Sequence, residues 1–313
     1  MSHLVAIVGP TCTGKSRTAL KLAQDFNGEI ISADSRQVYR HMDIGTAKPN
    51  PDELSLVPHH LIDIINPNDD FNLAQYQELA YESIYDVQQH NRLPLLAGGS
   101  GLYVWSILEG WEIPQVPPHP EFRHEMEDRV ASEGGDELYQ QLTNADPVAA
   151  QQIDQRNIRR IIRALEVNQH TEIPFSQLRH KKEPPFNKLI IGLTADRIEL
   201  YRRIDLRVDK MIEGGLIAEV EKLLKMGYNF DLPSMSGIGY KQIGAYLRGE
   251  QTLPAAVQQI KFETHRFVRQ QYNWFRLKDD RIKWFDIQGN LNHEITTLVA
   301  GFLEEAKVNH EVH

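Results

Sequence analysis

The chain predicts an α/β protein in which a parallel sheet is flanked by helices and interrupted by an inserted all-helical lobe. Three observations carry that expectation. A β-branched apolar run, Leu4-Val5-Ala6-Ile7-Val8, leads through a glycine-bearing turn into a helical pattern. Apolar runs of strand length recur at residues 29–33, 93–97 and 189–193, with helical periodicity before or after them. Residues 113–186 begin and end in proline clusters, Pro114, Pro117, Pro118 and Pro120 and then Pro184 and Pro185, and hold helical patterns with no strand between. The expected division is a core domain of residues 1–112 and 187–313 and a helical insertion domain of residues 113–186.

Each element has its own reason. Residues 4–8 read as a strand and Thr18 to Phe26 as the helix after it; Glu29 to Ala33 repeats the strand pattern. Between residues 69 and 91, Tyr76, Leu79, Ala80, Ile84 and Val87 recur at helical spacing, and Leu93-Pro94-Leu95-Leu96-Ala97 then runs as a buried strand into Gly98-Gly99. Leu189 to Leu193 resumes the sheet, and Leu200, Ile204, Val208, Met211 and Ile212 mark a long helix behind it.

Composition narrows the class. The 313 residues suggest about two domains, and 41% hydrophobic with 25% charged residues describes a globular chain. No apolar run approaches the roughly 18 residues of a membrane span. The single cysteine, Cys12, has no partner within the chain, and the opening Met-Ser-His enters the first strand without a secretory pattern, so a cytoplasmic setting is expected. The net charge of −9 hides an asymmetry: residues 1–154 sum to −14, residues 155–210 to +6 and residues 236–284 to +5. Such basic segments are either a footprint for a polyanion or ordinary solvated faces.

Gly9-Pro10-Thr11-Cys12-Thr13-Gly14-Lys15-Ser16 fits G-x-x-x-x-G-K-[ST] between strand and helix, so the core is expected to be P-loop NTPase-like. The glycines let backbone N–H groups curl around phosphate oxygens at a helix N-terminus, Lys15 adds a point charge, and the Ser16 hydroxyl is suited to ligate Mg²⁺. Cys12 reads as a small packing residue of the loop. By itself the loop favours a kinase or NTPase. Asp34 follows the second strand, at the carboxyl edge of the sheet, where a carboxylate serves either as a Mg²⁺ ligand or as a general base. Met42 to Pro49, polar and glycine-containing, reads as a site-lining loop.

The phosphate loop, Ser32-Ala33-Asp34-Ser35-Arg36-Gln37-Val38-Tyr39, Met42 to Pro49, Pro58-His59-His60-Leu61-Ile62-Asp63, Gly98-Gly99-Ser100-Gly101-Leu102-Tyr103, Arg163 to Val167 and Gly237 to Gln242 together resemble, in order, the tRNA dimethylallyltransferases, or tRNA isopentenyltransferases, of bacterial type. The resemblance covers nearly the whole chain. It implies transfer of a dimethylallyl group from dimethylallyl diphosphate to N6 of the adenosine 3′ to the anticodon, adenosine-37, in the anticodon stem-loop of tRNA, with Mg²⁺ as cofactor and without a membrane; a monomer is the expected state.

Under that resemblance the phosphate loop holds the diphosphate as a leaving group, with Arg203 and Arg207, four apart on one helix face, as further cations. Their competing use is pairing with Asp205 or Asp209. Asp34 is the chosen base on N6, with metal ligation as its alternative. Ser100 is expected to line the reaction tunnel, and Asp34, Ser35, Arg36 and Gln37 to hold the flipped base. Arg159, Arg160, Ile161, Ile162 and Arg163 correspond to a second tRNA-contacting stretch. Phe267, Tyr272, Trp274 and Phe275 are read as core before stacking surface, and His59 and His60 as structural. A small-molecule or nucleotide kinase, an isopentenyltransferase acting on free adenine nucleotides and a non-catalytic RNA-binding P-loop protein are the competing functions.

Overall fold

A computed structural model describes residues 2–114, 116–171, 174–178, 180–289 and 291–311, with side chains through residue 304. Strand β1 (Ser2–Val8) is fully buried from Leu4 to Val8, as a strand covered on both faces must be. After it come α1 (Lys15–Asp25), β2 (Gly28–Ala33), α2 (Pro51–Leu56), the two-residue β3 (His59–His60), α3 (Leu73–Gln89), β4 (Leu93–Gly98) and α4 (Gly101–Leu108). Capping boxes start α2 (Asn50 with Glu53) and α3 (Asn72 with Gln75), satisfying N–H groups that a helix leaves orphaned.

The chain then leaves the sheet. Residues Glu109–Glu183 form a separate compact unit with α5 (Pro120–Glu133), α6 (Gly135–Ala145), α7 (Pro147–Gln152) and α8 (Ile158–His170). Its edges fall at 109 and 183, a few residues before the expected 113 and 186. Leu138, Leu142, Ile161, Ile162 and Leu165 make its core. Beside them Glu166 is fully buried, and it accepts two hydrogen bonds from Arg123 at 2.8 Å, one from Arg163 at 2.6 Å and one from the His119 backbone N–H at 2.8 Å. Burial pushes that carboxyl up, but these bonds outweigh it and hold the group at about 2. The unit's two ends are clasped: the Glu112 N–H donates to the His180 carbonyl at 2.9 Å and the Lys182 N–H to the Gly110 carbonyl at 2.8 Å.

The sheet resumes at β5 (Phe186–Thr194), followed by α9 (Arg197–Glu213), α10 (Leu216–Lys225), α11 (Tyr240–Leu247), α12 (Leu253–Trp274), β6 (Ile282–Asp286) and α13 (Leu291–Glu311). All the strand pairings are parallel, in the order β3-β2-β4-β1-β5-β6. One core packs Val5, Ile7, Leu22, Leu95 and Ile191 with Ile295 and Val299 of α13. Another joins Val38 and Met42 to Leu200, Ile204 and Val208 of α9, Val220 of α10, Ile243 of α11 and Val268 of α12. Because the strands are parallel, the turns that leave β1, β2 and β4 and the segment that follows β5 emerge at one edge of the sheet. Those segments carry the phosphate loop, Asp34, Gly98-Gly99-Ser100 and the arginines of α9.

Candidate active site

The phosphate loop is shaped by two glycines. Gly9 has φ +130° and its Cα faces the Leu193 carbonyl of β5, so any side chain there runs into backbone. Gly14, at φ +87°, caps α1 and faces open space, which leaves the first N–H groups of the helix accessible to an anion. Thr13 is buried and its hydroxyl donates to the Pro10 carbonyl at 2.8 Å, while the Lys15 amine donates to the same oxygen at 2.7 Å. Burial pushes the Lys15 amine down to about 8; the Asp34 and Cys12 side chains oppose the shift and Arg207 adds to it.

Thr11, Cys12, Gly14 and Lys15 of this loop line one cavity of about 720 Å³. Asp34 and Gln37 form part of its wall, Arg203, Arg207 and Lys210 of α9 another, and Ile44, Ala97, Leu206 and Met211 give it apolar surface. The Arg207 guanidinium donates to the Thr11 hydroxyl at 2.8 Å, so it reaches the phosphate loop itself. Arg203 lines the cavity while its Nε donates to Glu199 at 2.7 Å. The expected alternative partners are otherwise engaged: Asp205 faces His265 at 2.9 Å and Asp209 meets Lys261 at 2.7 Å. Ser16 is exposed at the start of α1 and also lines the cavity. Its hydroxyl and the Asp34 carboxylate are hard oxygen donors lining the same cavity, and no cluster of three His, Cys, Asp or Glu suited to a metal exists among the described residues. That donor set suits a Mg²⁺ ion shared with substrate phosphates better than a protein-only cage.

Hydrogen bonds hold the residues around Asp34 in place. The Asp34 Oδ1 accepts the Arg36 backbone N–H at 2.8 Å, which folds the turn. Arg36 is spent on the Pro233 and Ser234 carbonyls, at 2.9 and 3.3 Å, and Gln37 donates to the Thr46 and Ala47 carbonyls, at 3.3 and 3.2 Å. Ser100 is absent from the cavity wall; it accepts the Ser35 backbone N–H at 3.0 Å and donates to the Ser35 hydroxyl at 3.2 Å, bolting the turn after β4 to the turn after β2.

Two residues that sequence reasoning missed complete the frame. Glu219 of α10 accepts the backbone N–H groups of Asp43, Ile44 and Gly45, at 2.9, 2.7 and 3.1 Å, and the Tyr240 hydroxyl at 2.6 Å, fixing the loop that supplies Ile44, Thr46 and Ala47 to the cavity. Burial and the Glu219 charge push the Tyr240 phenol far up, so it stays a donor. Gln271 of α12 bonds both the phosphate loop and Gly99. Neither belongs to a local motif, so no sequence signal marked them.

Within the inserted unit, Arg159 is exposed and Arg160 half-buried, whereas Ile161 and Ile162 lie in the core and offer no surface to RNA. Arg163 is engaged by Glu166 and by the Val116 carbonyl at 2.9 Å. On α12 and just beyond it, Phe275 is buried, but Phe267 and Trp274 are 38% and 40% exposed, which corrects the reading of both as core. His60 pairs with Glu29 at 2.6 Å and His59 bonds the Val57 carbonyl at 2.9 Å, both structural.

A family model described as IPP transferase matches residues 37–278, and one described as isopentenyl transferase matches residues 2–67. A tRNA dimethylallyltransferase of Dehalococcoides mccartyi is 50% identical over 305 residues, 97% of this chain and 94% of that protein. One of Roseiflexus sp. is 47% identical over 97% of this chain and all of its own length. The crystal structure of the full-length tRNA isopentenylpyrophosphate transferase of Bacillus halodurans superposes with TM-score 0.74 at 42% identity, covering 99% of this chain and 100% of that one. A eukaryotic dimethylallyltransferase acting on tRNA shares the fold, with TM-score 0.82 at 22% identity over 97% of this chain and 80% of that one. With a phosphate loop, a strand-edge aspartate and the matching sequence along almost its full length, the chain belongs to the tRNA dimethylallyltransferase, or IPP transferase, family.

Proposed function

We propose that this chain transfers a dimethylallyl group from dimethylallyl diphosphate to N6 of adenosine-37 in tRNA, releasing diphosphate, and that it does so as a cytoplasmic monomer with Mg²⁺. The observation that carries the reading is that the cations of the phosphate loop and of α9 share one cavity with Asp34. The diphosphate lies against the N–H groups at the start of α1, with Lys15 and Arg207 on its oxygens and Arg203 beside them. As the allylic C–O bond lengthens, negative charge grows on the leaving oxygen, and fixed cations there stabilise the transition state more than the ground state. The Ser16 hydroxyl would help hold a Mg²⁺ ion there, which would supply further neutralisation of that charge.

The acceptor needs different help. The N6 lone pair is delocalised into the adenine ring, so a carboxylate that takes a proton as the C–N bond forms recovers its nucleophilicity, and Asp34 performs that role. Adenosine-37 is extruded from the anticodon loop to reach it. Apolar wall from Ile44, Leu206 and Met211 accommodates the five-carbon chain. The inserted unit, residues 109–183, grips the anticodon stem-loop, with Arg159 and Arg160 on phosphates.

The deciding experiment is incubation with labelled dimethylallyl diphosphate and unmodified tRNA, followed by nucleoside mass analysis. Prenylated adenosine is the expected product. Label appearing on AMP, ADP or ATP and not on tRNA assigns the chain to the free-nucleotide enzymes, and phosphoryl transfer from ATP assigns it to the kinases.

A further inference from the structure

Gln271 stands in an apolar layer. Its neighbours one turn away, Val268 and Phe275, are 2% and 0% exposed, and Gln271 itself is 3% exposed. A buried amide costs free energy unless both of its ends are bonded, and here both are. Its Oε1 accepts the Thr11 backbone N–H at 2.9 Å, and its Nε2 donates to the Gly99 carbonyl at 3.1 Å. The glycine at position 99 is what allows this approach, since a side chain there collides with the amide nitrogen. One side chain therefore spans the phosphate loop and the glycine turn after β4.

The bonds continue on either side. Ser100 follows Gly99 directly and holds the Ser35 backbone and hydroxyl, and Ser35 follows Asp34. In the other direction the Thr11 hydroxyl accepts the Arg207 guanidinium. From Arg207 to Asp34 the path is an unbroken succession of hydrogen bonds and adjacent residues, and it passes through Gln271.

We propose that Gln271 is a positioning residue of the transfer reaction: it fixes the separation between the cradle of the leaving diphosphate and the carboxylate that takes the N6 proton. The inference rests on the roles given above to the phosphate loop and Asp34. Binding of each substrate uses groups that Gln271 does not contribute. Their mutual placement matters when both react, and a misplacement of about 1 Å at reacting centres costs roughly 10²-fold in rate.

Two variants test it. Gln271→Leu removes both bonds at similar volume. Gln271→Glu keeps an acceptor for the Thr11 N–H, and once protonated its carboxyl also donates to the Gly99 carbonyl, with burial raising the pH at which that happens. Gln271→Leu is expected to lower the single-turnover rate about 10- to 100-fold, while the KM for dimethylallyl diphosphate and the Kd for tRNA stay within about threefold. Relative to wild type at each pH, Gln271→Glu should match the Leu variant near pH 8 and recover toward pH 5.5, a rescue the Leu variant lacks. A folded Gln271→Leu enzyme with wild-type turnover overturns the inference, as does a donor KM that worsens as much as turnover. If Gln271→Leu does not fold, the Glu variant decides, and a rate ratio to wild type that is flat with pH overturns the inference. Asp34→Asn measured in parallel separates the two readings: normal turnover there removes Asp34 as the base, whereas normal turnover in the Gln271 variants beside a slow Asp34→Asn removes only the bridge.

Discussion

Lys15 feels two opposing influences: burial pushes its amine down to about 8 and Arg207 adds to that push, while Asp34 across the cavity favours the charged form. In the proposed reaction the charged form is the one that would hold the diphosphate, so affinity for dimethylallyl diphosphate should weaken as pH rises through about 8. Titration calorimetry from pH 6.5 to 9.5 checks this, and Lys15→Arg, whose guanidinium stays protonated, should flatten the profile. Lys15→Ala should raise the donor KM while leaving tRNA affinity intact. For Asp34, the Asn variant should bind both substrates and lose roughly 10²-fold or more in turnover. Failure of Asp34→Asn to bind the Mg²⁺-diphosphate complex would instead make Asp34 a metal residue. Lys15 and Asp34 were legible because each sits in a contiguous motif. Gln271 was not: its partners lie 260 and 172 residues away, and only folding brings the three together.

Helix α8 has two unlike faces. Its inner face buries Ile161, Ile162 and the Glu166 carboxylate, and its outer face presents Arg159. Glu166 is held at about 2 against a usual value of 4.5, so its bonds stabilise the fold fully above 4.5, and that contribution is lost as pH falls toward about 2. Thermal melts should show this acid limb, and Glu166→Gln should both lower the neutral-pH melting temperature and flatten the limb. Arg163→Ala should act mainly through the same melt. Arg159→Ala and Arg160→Ala should instead raise the Kd for tRNA and flatten its dependence on log salt by somewhat less than one unit each, leaving donor affinity unchanged. A wild-type slope in both variants would sink the phosphate-contact role. Sequence periodicity foresaw β1, β2, β4 and β5 because their apolar runs are buried on both faces. It missed β6, where Ile282-Lys283-Trp284-Phe285-Asp286 is partly exposed at the sheet edge, and β3, which is two residues long.

At the scale of the molecule, strand order does the gathering. Parallel strands β1, β2, β4 and β5 deliver their following segments to one edge, so residues from positions 11 to 211 meet around a single cavity. The net charge of −9 belongs to the whole chain, while binding of a polyanion responds to local potential over roughly a Debye length of 8 to 10 Å. The basic balance of residues 155–210 is therefore compatible with an RNA partner on an otherwise acidic body.

The clasp at residues 110–112 and 180–182 has an evolutionary corollary. An insert whose two ends meet a hydrogen bond apart asks nothing of the sheet that hosts it beyond two neighbouring attachment points. Such a module can be enlarged, trimmed or exchanged without touching the phosphate loop, so under the tRNA-contacting role proposed for the insert the choice of acceptor would be free to diversify separately from the chemistry of the donor. A chimera that carries the corresponding insert of a distant relative between residues 112 and 180 should keep wild-type affinity for dimethylallyl diphosphate by calorimetry while its preference among tRNAs follows the graft. Loss of donor binding in a folded chimera would show that the two halves are not independent parts.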